Sequence, residues 1–522
     1  MFENFNLKNE DKKYLTAIIL FSTILVAYYI NFNIQLGIHC SDVYLYLLNA
    51  LYFTGTPIHY PENIYLSPII CFLTSLLFRL GLVDKIAIFI VTGAISIIGN
   101  VGLYLLLKRY FNGILSLTGV IVYATCTLNL AWLANGSLDI SAVTLTIWIA
   151  LLGIIAIKEN PKYYRYLFIL LALGFFTRYT TMLIFPGHVL YYVYENGFKI
   201  KSEDRKDLLI GILLGIGVFG IIIGIIYVMS NGNLLLTDQF TSRISNNTGS
   251  VKDPAYNPDI YYYLKNMLNF ISNSHTGFDG NPKLENPTVI SYLIGAIMVI
   301  GTAIWLKTSR LQPKKQHLIS LILFAVAILT FKEISSMITV VIVFLGLYIL
   351  GKDSDYKVAY FMAGWILANM IFFSAFELKV NRYILPIFPA LIYFIVKSID
   401  IIHENVKVNK NIIPLILIVL FVVQGFAFTF TYVDTHEFSA QEDISNYIIT
   451  HDDNYKNVKI GAYNMRPYLW YLGYNVTGIE SSAVSAIDSS NITYYISDKQ
   501  LDLNNYTEIK TVDKLHLYKL NF

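Results

Sequence analysis

Two acidic residues stand out by where they fall. Asp42, in His39-Cys40-Ser41-Asp42-Val43-Tyr44, follows the first long apolar run, and Asp139, in Asn135-Gly136-Ser137-Leu138-Asp139, sits between two later ones. A carboxylate held at a membrane rim can take a proton from a hydroxyl or hold a divalent cation. The plainer alternative is helix capping, by Ser41 or Asp42 in one place and by Ser137 or Asp139 in the other. Ionisable groups at membrane depth are costly to keep, and two of them in successive outer segments favour a shared site. Basic residues on the same side are few. Arg178, in Phe176-Thr177-Arg178-Tyr179, and Arg382, in Asn381-Arg382-Tyr383-Ile384-Leu385-Pro386, are the best placed to bind an anionic lipid phosphate. Their plainer reading is a side chain that snorkels to the headgroups. His39 and His59, with Asp42 and Asp139, offer ligands for a divalent metal, although no spacing enforces such a site.

These groups need a frame. At 55% hydrophobic and 14% charged over 522 residues, the chain is far more apolar than soluble proteins, in which about a quarter of residues are charged. A transmembrane helix takes about 20 apolar residues, and the runs predict about thirteen, near 14–36, 86–107, 114–133, 139–157, 166–178, 180–195, 207–229, 288–306, 317–331, 334–350, 357–375, 383–399 and 411–431. The first lacks a small-residue cleavage site and reads as a signal anchor. The run Ser67 to Leu82 is short, opens on Pro68 and contains Arg79, so it reads as a helix on the outer surface. With it outside, Lys and Arg gather on the inner segments, as they do in cytoplasmic loops. The N-terminus is then cytoplasmic, and Asp42, Asp139, the loop 230–287 and the tail lie outside.

The first outer loop, 37–85, carries two surface helices, and Tyr44, Tyr46 and Tyr52 suit the first of them, Asp42 to Phe53, to the headgroup layer. The loop 230–287 holds an apolar, aromatic segment, Ile260 to Ile271, able to return to the membrane surface; a loop of that length reads as a lid or a tether. The division expected is a membrane domain over 1–433 and a small α/β domain over 434–522, with a helix at Ala440 to Ile449 and strands at Val458 to Tyr463, Thr493 to Ile496 and His516 to Leu520. Cys40 and Cys71 would share the first outer loop, as a disulfide or as two packed free thiols. The 38 basic residues are scattered between hydrophobic blocks, which excludes a nucleic-acid partner. Phosphate-binding loops, dinucleotide fingerprints and nucleophile elbows are absent from the sequence.

Several motifs in order carry a resemblance. Asp42 comes soon after the first span. Tyr52-Phe53-Thr54-Gly55 closes one surface helix, Tyr65-Leu66-Ser67-Pro68-Ile69 opens the next, and Leu80-Gly81 ends it. Asp139 and Arg382-Tyr383-Ile384-Leu385-Pro386 with Pro389 follow. Together these resemble the GT-C glycosyltransferases, and within them the protein O-mannosyltransferase and aminoarabinose-transferase group, over roughly residues 14 to 400. The resemblance implies a polytopic all-α GT-C membrane domain with outer juxtamembrane helices in the plasma membrane. It also implies transfer of a hexosyl or pentosyl group, with inversion, from a polyprenyl-phosphate donor to a protein, lipid or glycan acceptor outside the cytoplasm. Asp42 would then be the general base or acceptor-orienting carboxylate and Asp139 the second active-site acid. Arg178 and Arg382 are candidates for the carrier phosphate on electrostatic grounds alone.

The Glu-Lys-Pro-Pro run of aminoarabinose transferases is replaced by Leu66-Ser67-Pro68, so their lysine and metal ligands do not carry over. The Trp-Trp-Asp motif of oligosaccharyltransferases is absent from the tail, which argues against transfer of a whole glycan to asparagine. The alternatives are a lipid-linked glycan transporter or flippase, which would show paired repeats or broken spans, and a non-catalytic membrane scaffold.

Overall fold

The computed structural model describes residues 9–38, 40–56, 68–232, 256–273, 287–308, 315–406, 409–431, 437–473 and 475–521. The expected ligands His39 and His59 lie outside the described residues. The first half runs α1 (Asn9–Leu36), α2 (Ser41–Thr54), α3 (Pro68–Arg79), α4 (Lys85–Lys108), α5 (Gly113–Thr125), α6 (Thr127–Ala131), α7 (Asp139–Lys158), α8 (Tyr164–Thr177), α9 (Phe185–Asn196) and α10 (Ser202–Met229). The second adds α11 (Tyr262–Lys265), α12 (Met267–Ser272), α13 (Val289–Thr308), α14 (Lys315–Leu329), α15 (Ser336–Gly351), α16 (Lys357–Ala375), α17 (Phe388–Asn405) and α18 (Ile412–Thr431).

Among the described residues, eight helical stretches are long and apolar enough to cross a bilayer: α1, α4, α7, α10, α13, α16, Asn381–Asn405 with α17, and α18. The protein is a multi-pass membrane protein. The other five expected runs form helices of 12 to 16 residues, shorter than a span needs by itself. One reason is visible between α8 and α9. Arg178 turns extended (φ −162°, ψ 120°) and Tyr179–Ile184 wind as a 3₁₀ turn, so one continuous apolar stretch is broken where Arg178 must leave the helix.

Expected on the headgroup layer, α2 is instead covered. Every residue from Val43 to Ala50 is buried, because a helix apolar on all sides has no face to offer water. What covers it is the C-terminal domain, built of α19 (Glu437–His451), β1 (Ile460–Ala462), α20 (Met465–Leu472), β2 (Val476–Gly478), α21 (Val484–Asp488), β3 (Tyr494–Ser497), β4 (Tyr506–Val512) and β5 (Leu515–Leu520). Its sheet has the order β2-β1-β3-β5-β4. β1 pairs in parallel with β2 and β3, and β5 pairs antiparallel with β3 and β4. The parallel pairs are joined through helices, as that geometry requires.

Leu45 and Leu48 of α2 join this domain's core beside Ile444, Tyr468 and Leu472. Val43, Tyr44 and Leu47 belong to the membrane core. One helix thus belongs to two cores, and Asp42 lies in its first turn. Cys40, Cys71 and Cys126 are buried free thiols, so the disulfide alternative does not hold.

Candidate functional site

Asp42 and Asp139 do not cap their helices. Neither the residue before α2 nor the one before α7 makes a side-chain cap, and both carboxylates lie in first turns. Asp139 is 4% exposed and accepts from Ser137 Oγ at 2.6 Å and from Arg178 Nη1. Arg382 lies between the acids, with Nη2 3.0 Å from Asp42 Oδ2 and Nη1 3.9 Å from Asp139 Oδ2. Four residues from four separate stretches therefore meet, and the two arginines point inward instead of snorkelling. Their planes are seated on rings, Arg178 5.3 Å from the Tyr383 centroid and Arg382 5.1 Å from that of Trp132, where a guanidinium is held by its attraction to the π face.

The loop before Asp139 is shaped by backbone and packing. Gly136 has φ +85°, and a Cβ there would meet Val43 Cγ1 at 2.7 Å, so glycine lets this loop press against α2. Ala134 adopts φ +52°, a conformation that costs a non-glycine residue about 1–2 kcal/mol. Asn33 of α1 offsets that by donating from Nδ2 to Leu133 O at 2.9 Å and Ala134 O at 3.1 Å.

Arg382 is positioned from below and from the side. Asn381–Ile387 form a 3₁₀ turn with Pro386 inside, a residue that an α-helix interior excludes. Lys379 Nζ donates to Phe373 O at 3.2 Å, Ser374 O at 2.9 Å and Phe376 O, gathering the last carbonyls of α16. Burial pulls the Lys379 ammonium down to a pKa of about 8. The segment expected to return to the membrane surface packs here: Tyr262 donates to Asn381 Oδ1 at 2.9 Å and Tyr263 to Val380 O at 3.1 Å.

An apolar groove of about 940 Å³ runs between α3, α4, α7, α8 and α10, lined by Leu73, Ile98, Trp148, Leu170 and Ile222 among others. It includes Ser141 and Thr177, the near neighbours of Asp139 and Arg178, so its head adjoins the site. Arg79 also lines it, with Nη2 donating to Phe53 O at 2.7 Å.

The sequence reading missed Arg466, whose Nη1 lies 3.8 Å from Asp42 Oδ1. It stands in the C-terminal domain, and the only hint is a cation isolated in an aromatic stretch, Tyr463-Asn464-Met465-Arg466-Pro467-Tyr468. Arg178, Arg382 and Arg466 thus each approach one of the two carboxylates. No group of three metal-ligating side chains exists among the described residues. The expected ligands His39 and His59 lie outside those residues.

Residues 66–223 match the sequence profile of the dolichyl-phosphate-mannose-protein mannosyltransferase family. No curated protein matches the chain in sequence. Among solved structures it is similar to ArnT from Cupriavidus metallidurans bound to undecaprenyl phosphate, at 11% identity over 96% of this chain and 98% of that one, with a TM-score of 0.59. It is equally similar to the same enzyme in the apo state, at 10% identity over 96% and 97% of the two chains and a TM-score of 0.59. At such identity the likeness to ArnT is one of fold. The chain thus shares its overall fold with ArnT, and its residues 66–223 are similar to the mannosyltransferase family.

Proposed function

We propose that the protein moves a hexosyl or pentosyl group from a polyprenyl-phosphate donor to a hydroxyl acceptor on the extracytoplasmic face of the cell membrane, with inversion at the sugar carbon. The observation that carries this reading is the meeting of Asp42, Asp139, Arg178 and Arg382 at the head of a long apolar groove. The isoprenoid tail occupies the groove. The phosphate rests between Arg178 and Arg382, and the Nε–H of Arg382, buried without a partner among the described residues, is a further donor for it.

Asp42, at 29% the more open of the two acids, accepts the acceptor's proton. As the acceptor's oxygen bonds to the sugar carbon, the carbon–oxygen bond to phosphate breaks and its electron pair leaves with the phosphate. The phosphate goes from one negative charge to about −1.5 to −2 at pH 7, and the guanidiniums of Arg178 and Arg382 stabilise that increase as it develops. Asp139 keeps Arg178 aimed. The acceptor is a protein, a lipid or a glycan bearing a free hydroxyl.

Purified protein in nanodiscs, given undecaprenyl-phosphate hexoses and pentoses, is expected to release undecaprenyl phosphate. Leu170→Trp, which fills the groove, is expected to raise the donor KM. Release from no donor would remove the enzymatic reading. For the orientation, Lys514→Cys on the exposed β4–β5 turn is expected to react with an impermeant maleimide on intact cells, and Lys199→Cys to react only after lysis. The reverse pattern would turn the topology over.

A further inference from the structure

Arg466 belongs to neither the membrane helices nor the segments that place Asp139, and yet it faces Asp42. It is the second residue of α20, and α20 is fastened on three sides. Tyr471 meets Tyr44 of α2, with hydroxyls 3.5 Å apart and ring centroids 5.8 Å apart. Trp470 stacks on Phe78 of α3, with centroids 5.9 Å apart. Glu442 of α19 pairs with Lys85, the first residue of α4, and accepts from Tyr471 at 3.3 Å. These contacts, with Leu45 and Leu48 in the C-terminal core, fix where Arg466 can reach.

It reaches the Asp42 oxygen that Arg382 leaves open. Arg382 holds Oδ2 at 3.0 Å, whereas Arg466 stands 3.8 Å from Oδ1. The first distance is a hydrogen bond and the second an ion pair without one. Oδ1 is therefore steered by charge, and among the described residues no hydrogen bond reaches it. Both side chains keep some exposure, 25% for Arg466 and 29% for Asp42, at the seam between α20 and the start of α2.

We infer that Arg466 is a positioning residue that acts through Asp42, turning Oδ1 toward the incoming hydroxyl, and that the C-terminal domain is a working part of the transfer site. This rests on the transfer reading above. The domain sets the orientation of the base and takes no part in holding the donor, whose groove is lined by α3, membrane helices and Phe53 of α2.

The test uses the full-length protein in nanodiscs, with undecaprenyl-phosphate sugar as donor and water as acceptor, reading undecaprenyl phosphate released. R466Q is expected to lower kcat about tenfold and to leave the donor KM within twofold. R466K, which keeps the charge, is expected to recover most of the loss. A rise in donor KM matching the fall in kcat, an unchanged kcat, or an R466K no better than R466Q would each overturn the inference. Should wild type release nothing from any donor, the transfer reading fails by itself. The contact is then decided by the unfolding midpoints of R466Q, D42N and the double variant, where additive shifts overturn it and non-additive shifts uphold it.

Discussion

The two acids of the site live in unlike settings. Asp139 is 4% exposed, bonded to Ser137 and Arg178, and preceded by a loop that Asn33 clamps from α1. Asp42 is 29% exposed, starts a helix shared by two cores, and is faced by one arginine from the membrane part and one from the C-terminal domain. A carboxylate walled in by bonds is suited to holding other groups still. A carboxylate with one oxygen open is suited to exchanging a proton. The proposed roles of base and holding acid follow that difference, although both residues are acids at helix starts.

The strongest way to break this contrast is Asp42→Asn. Turnover is expected to fall about 10²–10⁴-fold, while stability falls less than in Asp139→Asn, because Arg382 keeps Asp139 at 3.9 Å as a counter-charge. Asp139→Asn is expected to fail in both respects. It strands the mostly buried Arg178 without its counter-charge, a loss of about 3–5 kcal/mol, readable by denaturant unfolding in micelles. Equal stability losses in the two variants would erase the distinction.

A smaller effect is expected from Asn33→Ala, which strips the donor from two buried carbonyls at a cost of about 1–3 kcal/mol. It should disturb Asp139 and leave hydrogen exchange at the start of α2 unchanged. The smallest is Ala134→Gly. Relieving φ +52° is expected to stabilise the protein by up to about 1 kcal/mol, and a destabilised variant would mean that the loop is not strained.

Linear periodicity made parts of the architecture legible. Apolar runs of span length marked the eight long membrane helices, and the shift to mixed composition after Asp434 marked the first C-terminal helix and three of the strands, but not α21. β2, with three residues, and β4, written Tyr506-Thr-Glu-Ile-Lys-Thr-Val512, carry too little alternation to be read without their partners. The covering of α2 was not legible, for an instructive reason. Its tyrosines suit the headgroup layer, but burial on every side needs a second layer, and nothing local to residues 41–54 says that one will arrive from beyond residue 436.

What the sequence by itself determined is the membrane nature of the chain and the presence of acids and arginines beside the ends of apolar runs, because hydropathy and charge act over a few neighbouring residues. Only the tertiary structure decided that Arg178 meets Asp139, that Arg382 lies between the two acids, and that Arg466 closes on Asp42 from a separate domain. Those pairings join residues 39 to several hundred positions apart. They are set by which helix faces pack together and by a proline-held turn, a clamped loop and a shared helix, none of which leaves a periodic trace along the chain.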